Sequence, residues 1–286
     1  MTFINSLKKD DGKIILKKNK PPSAELIISN EKSILICFLD TETTGVNKSN
    51  DQIIELALKV VEFEENSGKI VSIKYEYESF NQPDKSIDNK ITTLTGIDNE
   101  MVKNKEIDWS KVDSLLEDVD FIVAHNARFD RAFVDKNSSI SPKKIWACSI
   151  KDIDWFSKGF SNQKQELLCY WHGFYCDAHR AMNDVDALIQ LMVHSHYDKN
   201  RPILELIKNA KKIICKILVT NFPYDEQKKD MIKTNGYKWN TKEKIWYKEI
   251  FKKELEFEKN YLSETVYDGQ FRGSYEEINP NEKYKS

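Results

Sequence analysis

The sequence predicts an α/β chain, a mixed five-stranded sheet flanked by helices, followed by a small α+β accessory unit. Three observations predict it. Residues 34–39 form a continuous apolar run ending on Asp40, as a central strand buried on both faces requires. Residues 52–63 and 69–80 read as an antiparallel pair around the turn Glu65-Asn66-Ser67-Gly68, and helical and strand patterns alternate after them, which together imply a mixed sheet with helices on its faces. The charge balance then changes sign: residues 34–200 carry 19 basic and 28 acidic side chains, whereas residues 201–250 carry 12 and 6. An acidic unit can gather cations around clustered carboxylates, and a basic one can meet phosphates.

Taken in order, residues 1–33 hold lysine clusters, the pair Pro21-Pro22 and few large apolar side chains. They read as a mobile lead-in with one strand near residues 13–16. Residues 121–124 form a second buried strand, followed by a helix over about 128–136 and a fifth strand at 144–147. Helical spacing returns at 162–171. It is clearest at 181–193, where Val185, Leu188, Ile189 and Met192 repeat at i, i+3, i+4 and i+7. A linker near 200–202 leads to a strand at 213–220, a helix at 225–235 stopped by Gly236, a hairpin at 237–248 and a closing helix at 249–261. The expected division is a lead-in at 1–33, a first domain at 34–200, a small basic domain at 201–268 and a disordered tail at 269–286.

At 286 residues the chain exceeds one ordinary core. No run approaches the roughly 18 apolar residues of a membrane span, and the first 16 residues lack the apolar core of a secretory signal. The expected location is therefore cytoplasmic, without a membrane partner. Cys37, Cys148, Cys169, Cys176 and Cys215 form no C-x-x-C pair. They suit buried thiols better than bridges or zinc ligands.

The chemistry begins where the first strand ends. Asp40 and Glu42 lie two apart in Asp40-Thr41-Glu42-Thr43-Thr44-Gly45, so on a strand both carboxylates project to one face. Hard oxygen ligands at one point favour Mg²⁺ or Mn²⁺ over zinc. By itself the pair is equally an acidic strand-to-loop turn. Asp130 follows the second buried strand in His125-Asn126-Ala127-Arg128-Phe129-Asp130, at the sheet edge where ligands collect in open α/β folds; alone, it is a helix-start acid that favours the dipole. In His179-Arg180-Ala181-Met182-Asn183-Asp184 the ends are five apart and would not share a helical face, which puts His179 in the entering loop and Asp184 in the first turns of the helix.

These segments, in this order, resemble the DEDDh branch of the DEDD exonucleases, the DnaQ-like group that includes the proofreading subunit of bacterial replicative polymerase. The first motif resembles residues 40–45 with Glu55 in the following strand, the second 125–130 and the third 179–184. Leu94-Thr95-Gly96-Ile97 is similar to a further element of the family. The resemblance covers about residues 34–196 and implies a ribonuclease-H-like fold and a 3′-to-5′ exonuclease that releases nucleoside 5′-monophosphates. It implies two divalent cations held by Asp40, Glu42, Asp130 and Asp184, with Asp40 bridging, Glu42 and Asp184 on the cation that activates water, and Asp130 on the second. His179 would be the base. Thr43 and Thr44 would face the terminal nucleotide, and His125 and Asn126 its phosphate or sugar. The implied partner is nucleic acid with a free 3′ end, DNA favoured. An exoribonuclease of the same family, or a silent nucleic-acid-binding subunit, is the alternative. A polymerase or repair partner is not established by the sequence, and a replisome role is unsupported, since Gln163 to Leu168 resembles a clamp-binding peptide only loosely and lies in an expected helix.

The C-terminal unit interleaves aromatics with lysines in Gly236-Tyr237-Lys238-Trp239-Asn240 and Lys244-Ile245-Trp246-Tyr247-Lys248. That combination stacks bases while neutralising phosphates, although in so small a unit Trp239 and Trp246 serve equally well as core.

Overall fold

A computed structural model describes residues 3–4, 9–10, 12–24 and 32–285, and the chain divides into two compact units: residues 1–210 with 284–286, and residues 211–283.

The first unit is built on five strands, β1 (Ser33–Thr43), β2 (Ile53–Glu64), β3 (Ile70–Phe80), β4 (Phe121–Ala124) and β5 (Ile145–Cys148), in the order β3-β2-β1-β4-β5. β1, β2 and β3 pair antiparallel, and β4 and β5 continue the sheet in parallel. This is the mixed five-stranded sheet flanked by helices that the sequence predicts. Its helices are α1 (Ala127–Val134), α2 (Gln165–Trp171), α3 (Ala181–Val193) and α4 (Pro202–Ala210), with three further ones, Asn89–Thr95, Asn99–Val102 and Trp109–Leu116, between β3 and β4.

The two-residue period of β1 divides its side chains between two cores. Ile34, Ile36 and Phe38 enter the core that holds Val185, Leu188, Ile189 and Met192 of α3, whereas Cys37 and Leu39 enter the core that holds Ala127, Phe133 and Val134 of α1. Each such fully buried side chain contributes roughly 2 kcal/mol relative to exposure. Carried two residues further, the same alternation aims Asp40 and Glu42 at the α3 side and Thr41 at the α1 side. The site is thus an extension of the core pattern past its apolar end.

The second unit holds a four-stranded antiparallel sheet, β6 (Ile214–Leu218), β7 (Lys238–Asn240), β8 (Ile245–Phe251) and β9 (Ser274–Ile278), in the order β7-β8-β6-β9. Helices α5 (Glu226–Thr234) and α6 (Leu255–Thr265) supply Ile232, Leu255 and Leu262 to a core with Cys215, Ile217, Trp246 and Ile250. No helix among the described residues is long and apolar enough to cross a membrane.

Four sequence expectations need correction. The lead-in is not simply a mobile arm: Ile4 is buried in the first core and donates its N–H to the Trp171 carbonyl (3.1 Å), and Lys17–Lys18 pair in parallel with Phe174–Tyr175. Backbone hydrogen bonds make that pairing, so no apolar pattern announces it. The boundary falls after residue 210 instead of 200, because Ile203, Leu206, Ile207 and Ala210 of α4 bury one face in the first unit. Residues 269–286 are not a disordered tail. β9 pairs with β6 along its whole length, and Tyr284 is buried with its hydroxyl donating to Asp152 (2.8 Å). Finally, residues 249–251 complete β8 and the closing helix begins at Leu255.

Candidate active site

At the end of β1 the register with β2 shifts between Glu42 and Thr43, a bulge beside the acids. Beyond it, Thr43 Oγ1 donates to the Gly45 carbonyl (2.6 Å) and Thr44 Oγ1 to Asp51 (3.1 Å). Both hydroxyls expected at the terminal nucleotide are therefore engaged in shaping the loop. A Cβ at Gly45 would stand 2.6 Å from Asp51 Oδ2, so any larger residue there would push the Asp51 side chain out of its place in the loop.

Asp184 is the fourth residue of α3, and its carboxylate meets Asp40 and Glu42: one oxygen from each of the three lies within 4.8 Å of the others. The start of α3 is capped from outside the helix. Arg180 is extended and offers no side-chain cap, and the Ala181 N–H instead donates to Glu55 Oε2 on β2 (3.0 Å). Arg180 Nη2 binds the other oxygen of Glu55 at 2.9 Å. Further along α3, Asp186 forms an ion pair with the buried Lys59 of β2 (2.7 Å). Two ion pairs thus tie the helix that carries Asp184 to the strand beside Asp40 and Glu42. Glu55 stands directly opposite Glu42 in the register and is fully buried, and its oxygens are occupied by Arg180 and Ala181, so it anchors the loop instead of joining the cluster.

Asp130 arrives from the other face. It sits in the first turn of α1, buried, and its Oδ1 accepts from both the N–H (3.1 Å) and the hydroxyl (2.9 Å) of Thr41. It is not among the three carboxylates that converge. His179 lies in the loop before α3 with φ at +64°, exposed, its N–H donating to Asp184 Oδ2 (2.9 Å). Asn126 is exposed with φ at +71° and starts α1 without a side-chain cap. His125 Nδ1 is 2.6 Å from Ser149 Oγ, while its buried Nε2 has no hydrogen-bond partner.

The electrostatics of this cluster are unfavourable as it stands. Burial, and then Asp130, Asp184 and Glu42 in turn, push the Asp40 carboxyl well above its ordinary range. Burial and Asp184 raise Glu42 to about 8. Asp130 rises to about 7 through burial, opposed by Thr41, and Asp184 to about 6 through burial, opposed by the His179 N–H. Burial lowers His125 to about 4, so the ring is neutral at working pH. Carboxylates gathered in this way remain ionised only if positive charge joins them. An all-oxygen donor set with room for more ligands suits a hard divalent cation, so the residues present fit the cations that the sequence motifs imply.

A cleft of about 700 Å³ opens beside the cluster, lined by His125, Asn126, Phe156, Lys164, His179 and Asp184 among others. Sequence reasoning passed over Phe156, which is 59% exposed, and Gln165, whose Nε2 donates to the Asp184 carbonyl (2.7 Å). Nothing in their local pattern separates them from ordinary loop and helix residues. A second cleft of about 770 Å³ reaches Thr44 but none of the acids. Two of its lining residues, Gln52 and Asp84, are hydrogen-bonded to each other twice.

Comparison with known proteins places these features in context. The family model RNase_T, described as "Exonuclease", matches residues 37–192, more than half of the chain. The chain is 36% identical over 121 residues to the PolC-type DNA polymerase III of Thermotoga maritima, a match covering 41% of this chain and 8% of that protein. It is 36% identical over 117 residues to the 3′-5′ exonuclease DinG of Bacillus subtilis, covering 40% and 12%. With the DNA polymerase III subunit epsilon of Buchnera aphidicola it shares 33% identity over 136 residues, covering 43% of this chain and 53% of the subunit. The chain thus matches only small parts of the first two relatives and about half of the third.

Proposed function

The chain belongs to the RNase_T exonuclease family, the DnaQ-like DEDD group, and we propose that it removes nucleotides one at a time from the 3′ end of nucleic acid, DNA favoured, releasing nucleoside 5′-monophosphates. The observation that carries the reading is the meeting of Asp40, Glu42 and Asp184 oxygens within 4.8 Å at the end of a buried strand. Asp40, Glu42 and Asp184 would hold divalent cations, Mg²⁺ or Mn²⁺, with Asp130 supporting a second one through water. Bound there, such cations lower the pKa of water and stabilise both the attacking and the leaving oxygen of an in-line displacement.

The chain's own residues do the rest. His179 takes the proton from the attacking water, a task for which imidazole is suited because its free pKa lies near neutrality. Its backbone N–H on Asp184 ties the base's position to the acid cluster. His125, neutral and with an unpartnered Nε2, is available to a phosphate or sugar oxygen, and Asn126 shares the same cleft wall. Thr43 and Thr44 approach the terminal nucleotide through the loop that their hydroxyls hold. Phe156, which lines the same cleft as His179, offers an apolar ring to a base. The preference for DNA draws on relatives that are DNA polymerase III proteins and a 3′-5′ exonuclease.

The test is direct. End-labelled single-stranded DNA, duplex DNA with a recessed 3′ end, and RNA are each incubated with the protein and Mg²⁺ or Mn²⁺. Stepwise shortening from the 3′ end to 5′-monophosphates, stopped by EDTA, is expected. Products with 3′-phosphates, or dominant internal cuts at the earliest times, would overturn the reading, and faster loss of RNA would transfer it to the exoribonuclease alternative.

A further inference from the structure

Trp239 and Trp246 face each other across the β7–β8 pair, so both project to the side of the sheet that α5 and α6 cover. Only one of them is core. Trp246 is 8% exposed, whereas Trp239, on the three-residue edge strand, is 46% exposed with its ring centroid 5.4 Å from that of Trp246. A small unit has little apolar surface to spare, and leaving a tryptophan half in water forgoes burial that it could use.

The charges around this edge are arranged as unusually as the ring. Lys238, Lys242 and Lys244 are exposed and make no ion pair among the described residues, whereas several lysines elsewhere in the unit are paired, as Lys228 is with Asp268, Lys248 with Glu258 and Lys252 with Glu277. The hairpin's one acid between residues 238 and 248 apart from chain ends, Glu243, accepts from Asn240 (2.8 Å). At the far edge of the same sheet, β9 carries Glu276 and Glu277. The unit as a whole is nearly neutral, with 15 basic and 13 acidic side chains over residues 211–283, so its attraction for a polyanion is local to one edge. Lysines on an edge strand also guard against strand pairing between molecules. A bare tryptophan beside them works against that purpose, and the combination suits a ligand that is both anionic and flat-faced.

We propose that the β7–β8 hairpin is a binding site for single-stranded nucleic acid, with Trp239 stacking on a base and Lys238, Lys242 and Lys244 contacting phosphates. Sequence-tolerant grip of this kind is what stacking platforms with flanking cations provide. The choice of ligand rests on the exonuclease reading, but the site itself does not use the acid cluster.

The experiment titrates a fluorescein-labelled 30-nucleotide oligo-dT with the full chain in EDTA, across a salt series, and follows anisotropy. Trp239→Ala is expected to weaken binding about 10-fold, within the range for one lost stacking contact. The triple variant Lys238→Gln, Lys242→Gln, Lys244→Gln should reduce the slope of log affinity against log salt by about 2, given roughly 0.7 per phosphate on a single strand. Both variants should hydrolyse a trinucleotide with Mg²⁺ at the wild-type rate. If Trp239→Ala lowers the melting temperature, Trp239→Phe, which keeps a ring, should restore both fold and affinity. Affinity and salt slope equal to wild type in folded variants would overturn the proposal, including the case in which Trp239→Ala alters only self-association. Failure of the wild type to cleave the trinucleotide, with hairpin-dependent binding intact, would instead overturn the exonuclease reading alone.

Discussion

Glu258 in the C-terminal unit and the trio Asp40, Glu42 and Asp184 in the N-terminal unit are acids packed against a sheet, in opposite electrostatic settings. Glu258 is 4% exposed, and its oxygens accept from Asn235 (2.8 Å), the Tyr237 hydroxyl (2.9 Å) and Lys248 (2.9 Å). Its charge is matched by donors already in the chain. The trio instead faces further acids, and each member is pushed upward in pKa by burial and then by its neighbours or against few donors. A buried carboxylate surrounded by donors holds structure together, whereas one surrounded by carboxylates waits for something from outside. Glu55 sharpens the contrast within the first unit. One strand pair away from the trio, it is bound by Arg180 and the Ala181 N–H and behaves as Glu258 does.

The largest effect that separates the two settings is on turnover. Asp40→Ala or Asp184→Ala should reduce nucleotide release from labelled single-stranded DNA to background while leaving the melting temperature in EDTA unchanged or slightly raised, since like-charge repulsion is relieved. Release at the wild-type rate by a verified Asp40→Ala protein would dissolve the distinction between site and structural acids.

His179→Ala comes next. A positioned general base contributes roughly 10²- to 10⁴-fold, so single-turnover rates should fall by that factor while binding of the oligonucleotide changes much less. An unchanged rate would move the base elsewhere.

On stability the ranking reverses. Glu258→Ala leaves Lys248 and Tyr237 without their partner and should cost on the order of 3 kcal/mol in a urea melt, as removal of one member of a buried pair does. If Asp40→Ala costs as much in EDTA, the comparison fails.

The smallest effect is a trend with pH. Glu42 at about 8, Asp130 at about 7 and Asp184 at about 6 all lie above their unfolded values near 4. The folded state therefore binds more protons than the unfolded one, and the stability these groups contribute is present below about pH 4 and is lost as pH rises through 6 to 8. The metal-free protein should melt at a lower temperature at pH 8 than at pH 5, and Mn²⁺ at pH 8 should restore the difference. A melting temperature that rises from pH 5 to pH 8 in EDTA would contradict the assigned directions.

How much of this was legible in the chain depends on the range of the interaction. The pairing of Asp40 with Glu42 on one face follows from the two-residue period, and the place of His179 outside the helix that bears Asp184 follows from 3.6 residues per turn. The roles of Thr41 and Glu55 were hidden. Thr41 reads as filler between two acids until the parallel pairing of β1 with β4 brings α1 and Asp130 to its side. Glu55 reads as one more acid until Arg180, 125 residues later, closes on it. The strand at Lys17–Lys18 and β9 escaped for another reason: each is held by backbone hydrogen bonds, which leave no trace in side-chain pattern. The helix α4 escaped because no element was assigned between the linker near 200–202 and the strand at 213–220, so residues 203–210 fell to the second domain.

The sequence by itself determined the elements of the main sheet, the face on which Asp40 and Glu42 project, and the order of the acid-bearing segments, because these depend on dihedral preferences and periodicities a few residues long. Only the tertiary structure decided which acids meet. The sheet order β3-β2-β1-β4-β5 brings α3 to one face of β1 and α1 to the other, so Asp184 joins Asp40 and Glu42 while Asp130 accepts hydrogen bonds from Thr41 between them. The same division separates Trp246 from Trp239. Their spacing makes them equals in the chain, and the reach of α5 and α6 over the sheet leaves one in the core and the other in water. That outcome rests on many burial contacts between distant segments, and no local window of the sequence contains it.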